Sequence, residues 1–299
     1  MVPSDGSAPL ARAYAACRAL ARSHYENFPV ASRLLPPSMR PHVAAVYAFA
    51  RVADDMADLG CAPAAERQSA LAAWQRRLHD AVDRPPIDDP AAGRDDLMLG
   101  ALAHSIRELD LPLELFDDLI SAFGQDTTTD RYASWAGIFD YCRRSANPVG
   151  RLVLRIAGYR NQALDRSSDA VCTALQLTNF WQDFGLDWRA GRLYVPREVQ
   201  DACGAREADL SEGRLTPAWA EAIACCVEVT RRQFDDGRAV CQAIGGRLGL
   251  ELRATWVGGV LILDRVARGR ADLLRIRPVL AKTDAPRLLW RAMRWKGAA

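Results

Sequence analysis

Two pairs of aspartates, Asp54 with Asp58 and Asp183 with Asp187, are the residues of this chain whose type and spacing suit chemistry. A separation of four places two carboxylates on one helix face, about 6 Å apart along the axis. Both stretches are otherwise apolar: Val43, Val46, Tyr47, Phe49 and Val52 precede the first pair, and Leu175, Leu177, Phe180 and Trp181 precede the second. Carboxylates in such surroundings are costly unless positive charge lies near them. Acidic side chains projecting inward from facing helices are one way in which helical proteins build metal sites, so the two faces are expected to share one. With oxygen donors and no His or Cys beside either pair, the expected ion is hard, and Mg²⁺ comes first. Mg²⁺ keeps waters and bridges a few carboxylates to substrate phosphates, which accounts for two open pairs better than a closed protein cage does. The competing reading is two unrelated solvated faces.

The neighbours of the acids extend this chemistry. Arg51, one turn before Asp54, suits either a phosphate oxygen or an i,i+3 ion pair with Asp54, and Arg192 after the second pair has the same two roles open to it. Asp55 points about 100° away from Asp54 and is expected to be structural or supporting. Gln176 and Asn179 lie two turns and one turn before Asp183, near its face. His24 reads as a capping or core histidine or as a base. Tyr47, Tyr141 and Tyr194 line a cavity or pack, and the eight tryptophans and eight phenylalanines offer π faces for a cation or ordinary core.

Helices must position these groups, because no run alternates at a period of two for more than a few residues and no fixed repeat or βαβ pattern occurs. Amphipathic helices are predicted over residues 10–24, 38–58, 64–82 (with Leu71, Trp74 and Leu78 on one stripe), 95–109 and 112–123. Others are predicted from 134, over 167–190, and over 216–244, 248–268 and 285–295. Loops are expected at Leu59–Pro63 and Asp83–Gly93, a turn at Gly124–Asp130, and a kink at Asn147-Pro148, where proline removes a backbone donor. The expectation is one all-α domain over residues 1–299, on the order of ten helices around a central core or cavity.

Composition sets outer limits. With 49% hydrophobic and 25% charged residues the chain is globular, and 39 basic against 37 acidic residues give a net charge of +2. That balance, with no basic stripe, argues against nucleic acid as a partner. Eight scattered cysteines without paired spacing read as reduced packing residues. The first residues lack the basic-then-apolar order of a signal peptide, and the longest apolar run, Trp256–Leu263, is too short to span a bilayer. Gly245-Gly-Arg-Leu-Gly249 follows no strand and is a poor nicotinamide fingerprint. The chain is expected to be cytoplasmic, in contact with the inner membrane surface at most.

At these residues the sequence resembles the squalene and phytoene synthase family of head-to-head prenyl synthases. The resemblance runs from about His24 to the C-terminal helices. It is carried by Tyr47-x-x-x-Arg51-x-x-Asp54-Asp55-x-x-Asp58, and by Ala174-Leu-Gln-x-Thr-Asn179, Asp183-x-x-x-Asp187 and Gly191-Arg-x-Tyr194-x-Pro196. It implies an isoprenoid-synthase-type helical fold and an enzyme in which Mg²⁺ on Asp54, Asp58, Asp183 and Asp187 holds and ionises a prenyl diphosphate. Tyr141 joins those acids as a catalytic residue, and His24, Tyr47, Arg51, Gln176, Asn179, Arg192 and Tyr194 contact substrate.

Four departures from phytoene- and dehydrosqualene-type relatives narrow the resemblance: Gln182 in place of an arginine, His24–Pro29 in place of a serine-rich segment, Ser145–Gly150, and Gly258-Gly259 in place of an aromatic. Together they look like the bacterial hydroxysqualene synthase branch, a lyase-like activity of hopanoid-linked squalene formation coupled to other enzymes of that pathway. The activity so implied converts presqualene diphosphate and water to hydroxysqualene and diphosphate, with water capture in place of hydride reduction. The rival readings are a transferase of the same family that condenses two prenyl diphosphates to presqualene diphosphate, dehydrosqualene or phytoene, and a non-catalytic helical binding or assembly protein.

Overall fold

Apolar residues recurring at helical spacing, punctuated by Pro, Gly and Asn, give a chain of helices joined by turns. The computed structural model describes residues 7–23, 34–58, 62–84, 89 and 91–295. Among these there is one isolated β-bridge, between Arg131 and Leu193, and otherwise only helices and connections. The all-α expectation is met.

The chain divides into two compact units, one of residues 1–128 with 151–160 and one of 129–150 with 161–299. The first unit holds α1 (Ser7–Ser23), α2 (Arg40–Ala57), α3 (Ala64–Asp83), α4 (Arg94–Leu109) and α5 (Glu114–Asp126). The predicted stripe Leu71, Trp74 and Leu78 is buried. Phe49 of α2 stacks on Trp74 at 5.8 Å and meets the edge of Phe116 at 5.6 Å. Burying side chains of this size contributes roughly 1.5–3 kcal/mol each. At the junction of α1, α2 and α4, Tyr14, His42, His104 and Ser105 form a hydrogen-bonded knot, with the Tyr14 hydroxyl 2.9 Å from both His104 Nδ1 and Ser105 Oγ. His42 Nδ1 lies 2.9 Å from the same Ser105 Oγ, so the start of α2 is tied to both neighbours.

The second unit packs around α8 (Gln162–Gln182), preceded by α6 (Trp135–Ser145) and α7 (Asn147–Ile156), the latter passing from this unit into the first. After α8 come α9 (Phe184–Arg189), α10 (Arg197–Cys203), α11 (Glu207–Ser211), α12 (Pro217–Asp236), α13 (Arg238–Ala243), α14 (Gly246–Gly269) and α15 (Ala285–Met293). Helices α6, α12, α13 and α14 all touch α8. Gly259 lets α14 come close, since a Cβ there would lie 2.6 Å from both Leu175 and Phe234. The Trp181 indole N–H donates to Thr230 Oγ1 at 2.8 Å, locking α8 to α12.

Several boundaries differ from expectation. Helix α8 begins at Gln162, five residues before the predicted start, because Asn161 Oδ1 accepts the Ala163 and Leu164 N–H groups as an N-cap. The helix predicted over 167–190 is two helices that break at Asp183. The one predicted over 216–244 breaks at Gly237, where Val171 leaves no room for a side chain. Helix α5 runs through Gly124 to Asp126, and α10 and α11 lie in a stretch for which no helix is predicted. The kink at Asn147 is a packing bend: its buried amide oxygen accepts the Thr173 hydroxyl at 3.0 Å.

Candidate active site

The second acidic pair sits at the α8–α9 break, which alters the geometry read from its spacing. Asp183 both ends α8, its N–H bonded to Asn179 O at 2.9 Å, and opens α9, its C=O accepting the Leu186 and Asp187 N–H groups at 2.8 Å. Its φ and ψ of −95° and 9° are not those of a helix interior. The two carboxylates therefore flank a tight turn and do not ride one continuous helix. Gln176 and Asn179 precede Asp183 at seven and four positions and keep to its face of α8.

The break has a visible cause downstream. Residues 273–278 cross α8 and α9 as a strap: Arg189 donates to Leu274 O at 2.9 Å and Gln182 Nε2 to Pro278 O at 2.6 Å. The carbonyls of Leu273 and Leu274 lie 2.5 and 2.6 Å from where a Cβ of residue 185 would stand, so only glycine admits the strap. Gln182, one of the departures from family pattern, is thus a structural anchor. From the strap Arg277 reaches Asp183 with Nε and Nη2 on its two carboxylate oxygens, the second contact at 3.2 Å, a bidentate charge-assisted pair. No spacing rule pointed to Arg277, because it lies 94 residues from its partner; the one signal was an arginine before a proline between two helices.

Electrostatics single out Asp187. Burial pushes its carboxyl up to about 7, with the Asp183 charge adding to the rise and Arg192 and Arg277 opposing it. Arg192 is held there by its own backbone, whose N–H donates to Asp187 O at 2.8 Å. Two neighbouring carboxylates, one of them withdrawn from water, fit a hard divalent cation. Among the described residues no three His, Cys, Asp or Glu side chains gather as a metal cluster, so each pair offers two carboxylates and leaves the other positions to water or phosphate oxygens.

Beside this turn lies an aromatic group. Phe180 stacks on Tyr194 at 3.8 Å and 9° and stands 6.0 Å from Tyr141, and Tyr132 meets both Tyr141 and Tyr194 at about 6 Å. All four rings are buried. Gly191, at φ +83°, turns the chain after α9 so that Leu193 N–H reaches Asp130 O and Tyr194 joins the group. Tyr141 and Tyr194 both join this group through Phe180 and Tyr132, and Tyr132 is an addition that sequence reasoning missed.

The first pair is built differently. Asp54 lies in the last turn of α2, and Asp58 is its C-cap, with N–H bonded to Asp54 O at 3.0 Å. Arg51 pairs with Asp54 at 3.1 Å and with Asp55 at 2.5 Å, which decides between its two readings in this state: it is an ion pair along its own helix. Asp55 is therefore a counter-charge to Arg51. Tyr47, one turn before Arg51, is half-buried, and burial raises its phenol, with Arg51 opposing. Both acids of this pair are open to solvent, and the pair belongs to the first unit while Asp183 and Asp187 belong to the second. His24 lies outside the described residues.

The squalene/phytoene synthase family matches residues 21–284 of the chain. The hydroxysqualene synthase of Zymomonas mobilis is 34% identical over 83% of this chain and 78% of its own. The 15-cis-phytoene synthase of Synechococcus elongatus is 26% identical over 92% of this chain and 90% of its own. The crystal structure of squalene synthase HpnC from Alicyclobacillus acidocaldarius is similar with a TM-score of 0.78 and 38% identity, covering 87% of this chain and 94% of that one.

Proposed function

We propose that this chain, which belongs to the squalene/phytoene synthase family, is an enzyme that converts presqualene diphosphate and water to hydroxysqualene and diphosphate. Its similarity to a hydroxysqualene synthase over most of both chains supports the substrate. The observation that carries the chemistry is the acidic turn of Asp183 and Asp187 set beside the Tyr132, Tyr141, Phe180 and Tyr194 rings. A leaving group needs positive charge, and a carbocation needs π faces and shelter from premature water.

Asp183 and Asp187 in one unit, and Asp54 and Asp58 in the other, are the proposed carboxylates for Mg²⁺. Bound there, Mg²⁺ would supply the charge that stabilises diphosphate as it leaves. Arg277 and Arg192 in the second unit and Arg51 in the first each exchange a carboxylate for a phosphate oxygen when substrate binds, since guanidinium geometry serves both equally. Gln176 and Asn179 add amide donors on the Asp183 face, and Tyr47 adds a phenol near Arg51. The four buried rings hold the cationic carbon skeleton as it rearranges. The C–O bond to diphosphate breaks, the cyclopropane opens, water adds through oxygen, and its proton leaves to solvent, so no reductant enters. In this reading residues 1–299 act as a single synthase domain. The enzyme works at the inner face of the membrane, coupled to the other enzymes of squalene formation.

Incubation of the purified protein with presqualene diphosphate and Mg²⁺, without NADPH, tests the reading. Hydroxysqualene is the expected lipid product. Squalene, phytoene or an unchanged substrate would sink it.

A further inference from the structure

Helix α15 buries one face and leaves the other uncovered. Leu288 lies against Gly258 of α14, Ala292 is fully buried, and Trp295 meets the edge of Trp256 at 5.0 Å, with the Arg238 guanidinium 4.9 and 5.5 Å from the two rings. These contacts fix the rotation of the helix about its axis. At 100° per residue, Pro286, Leu289, Trp290 and Met293 then share the opposite face. Leu289, Trp290 and Met293 are 39%, 54% and 64% exposed, and Ile276 and Val279 of the preceding segment are 62% and 50% exposed.

Charge lies beside this stripe in a regular order. Arg287, Arg291 and Arg294 follow one another at i, i+4 and i+7 along one flank, all exposed. The Arg294 guanidinium rests 5.2 Å from the centre of the Trp290 ring. Asp284, the acid before the helix, is neutralised by Arg265 at 2.7 Å and accepts the Ala281 N–H at 2.6 Å. An outward-facing helix with an apolar stripe, an exposed tryptophan and a row of arginines is complementary to a plane of lipid phosphates over hydrocarbon. No helix among the described residues is long and apolar enough to cross that layer, so contact would be with its surface.

We propose that this face of α15 docks on an anionic phospholipid surface, with Leu289, Trp290 and Met293 at the headgroup boundary and Arg287, Arg291 and Arg294 on lipid phosphates. The inference names the surface behind the membrane contact included in the functional reading, but it needs no turnover and no particular substrate. The strap links this surface to the acidic turn, since Ile276 and Val279 flank the residues that grip Asp183 and Gln182.

The test is sedimentation of the full chain with vesicles of phosphatidylcholine containing phosphatidylglycerol, against vesicles of phosphatidylcholine alone, without substrate or metal. Binding to the anionic vesicles is expected, falling as salt rises. Arg287→Gln, Arg291→Gln and Arg294→Gln together should weaken it on the order of a hundredfold, from about fivefold per arginine. Trp290→Ser with Met293→Ser should weaken it at least tenfold while circular dichroism stays unchanged. Should either variant fail to fold, quenching of the unmodified protein's tryptophan emission by brominated phosphatidylglycerol decides the matter: quenching supports the proposal. Absence of quenching, equal binding to neutral vesicles, or undiminished binding by folded variants overturns it. So does a dimer in sedimentation equilibrium that Trp290→Ser dissolves, because a second copy then covers the face. None of these outcomes depends on the reaction, so failure here and failure of the hydroxysqualene assay are read separately.

Discussion

The two acidic pairs share a spacing and differ in almost everything else. Asp54 and Asp58 end a continuous helix in solvent, and the counter-charge on Asp54, Arg51, comes from the same helix one turn away. Asp183 and Asp187 flank a break, Asp187 is drawn into low-dielectric surroundings, and the counter-charge on Asp183 comes from Arg277 on a distant strap. A solvated carboxylate loses little when unpaired, whereas a half-buried pair stays costly until a cation arrives. For the proposed cation site, identical spacing would then encode two strengths, firmer at the α8–α9 turn and softer, more adaptable at the end of α2.

Substitutions can break this contrast. Asp183→Asn or Asp187→Asn should lower kcat by about a thousandfold, near the upper end for losing one preorganised charge partner. Asp58→Asn should cost closer to a hundredfold, with Mn²⁺ affinity followed by electron paramagnetic resonance ranking the variants in the same order. Equal losses at the two pairs would remove the distinction. Next in size is the strap. Gly185→Ala places a methyl against the Leu273 and Leu274 carbonyls, so it should displace Arg277 and raise KM for the diphosphate about tenfold or more, and Arg277→Gln should do the same without moving the strap. Arg51→Gln, which removes the Arg51–Asp54 ion pair, should cost less than tenfold in KM.

The smallest effect separates the regions by sign. The His42 imidazole, at the seat of α2, is pushed down by burial and then by His104, with Glu108 opposing. Tyr14 and Cys17 of α1 and Ser105 of α4 are the other groups around this junction. The unfolded chain takes that proton first, so stability contributed by neutral His42 is lost as pH falls below about 6.5. Asp187 is shifted the other way: the folded carboxyl holds its proton up to about 7, so its contribution is full at low pH and is lost as pH rises through that value. In protein treated with chelator, amide exchange corrected for its intrinsic pH dependence should show α2 loosening and the α9 turn tightening as pH is lowered from about 7 to 5. The slope for one group cannot exceed about 1.4 kcal/mol per pH unit. A common sign in both regions would contradict the account.

The first region was the more legible in sequence because its parts are local. Tyr47, Arg51, Asp54 and Asp58 lie within four turns of one helix, and α2 follows the predicted span to within two residues at its start. The second region was legible only in its acids. Its break at Asp183 depends on carbonyls of residues 273 and 274, and the burial of Asp187 and the company of Tyr132 come from tertiary packing that no helical period records. The early start of α8 depends on the Asn161 side chain as its cap and on Asp165, Ser167 and Ser168, polar residues that packing buries within the helix. The outward stripe on α15 lay within a predicted helix, yet only the seating of Leu288, Ala292 and Trp295 shows which side faces out.

Both acidic regions are proposed to serve one event, departure of diphosphate and capture of the carbon skeleton by water. Turnover of presqualene diphosphate in H₂¹⁸O with Mg²⁺, followed by mass spectrometry of both products, tests that event directly. The account predicts one ¹⁸O atom in hydroxysqualene and none in the diphosphate released. Label in the diphosphate, or a lipid product without oxygen, would contradict it.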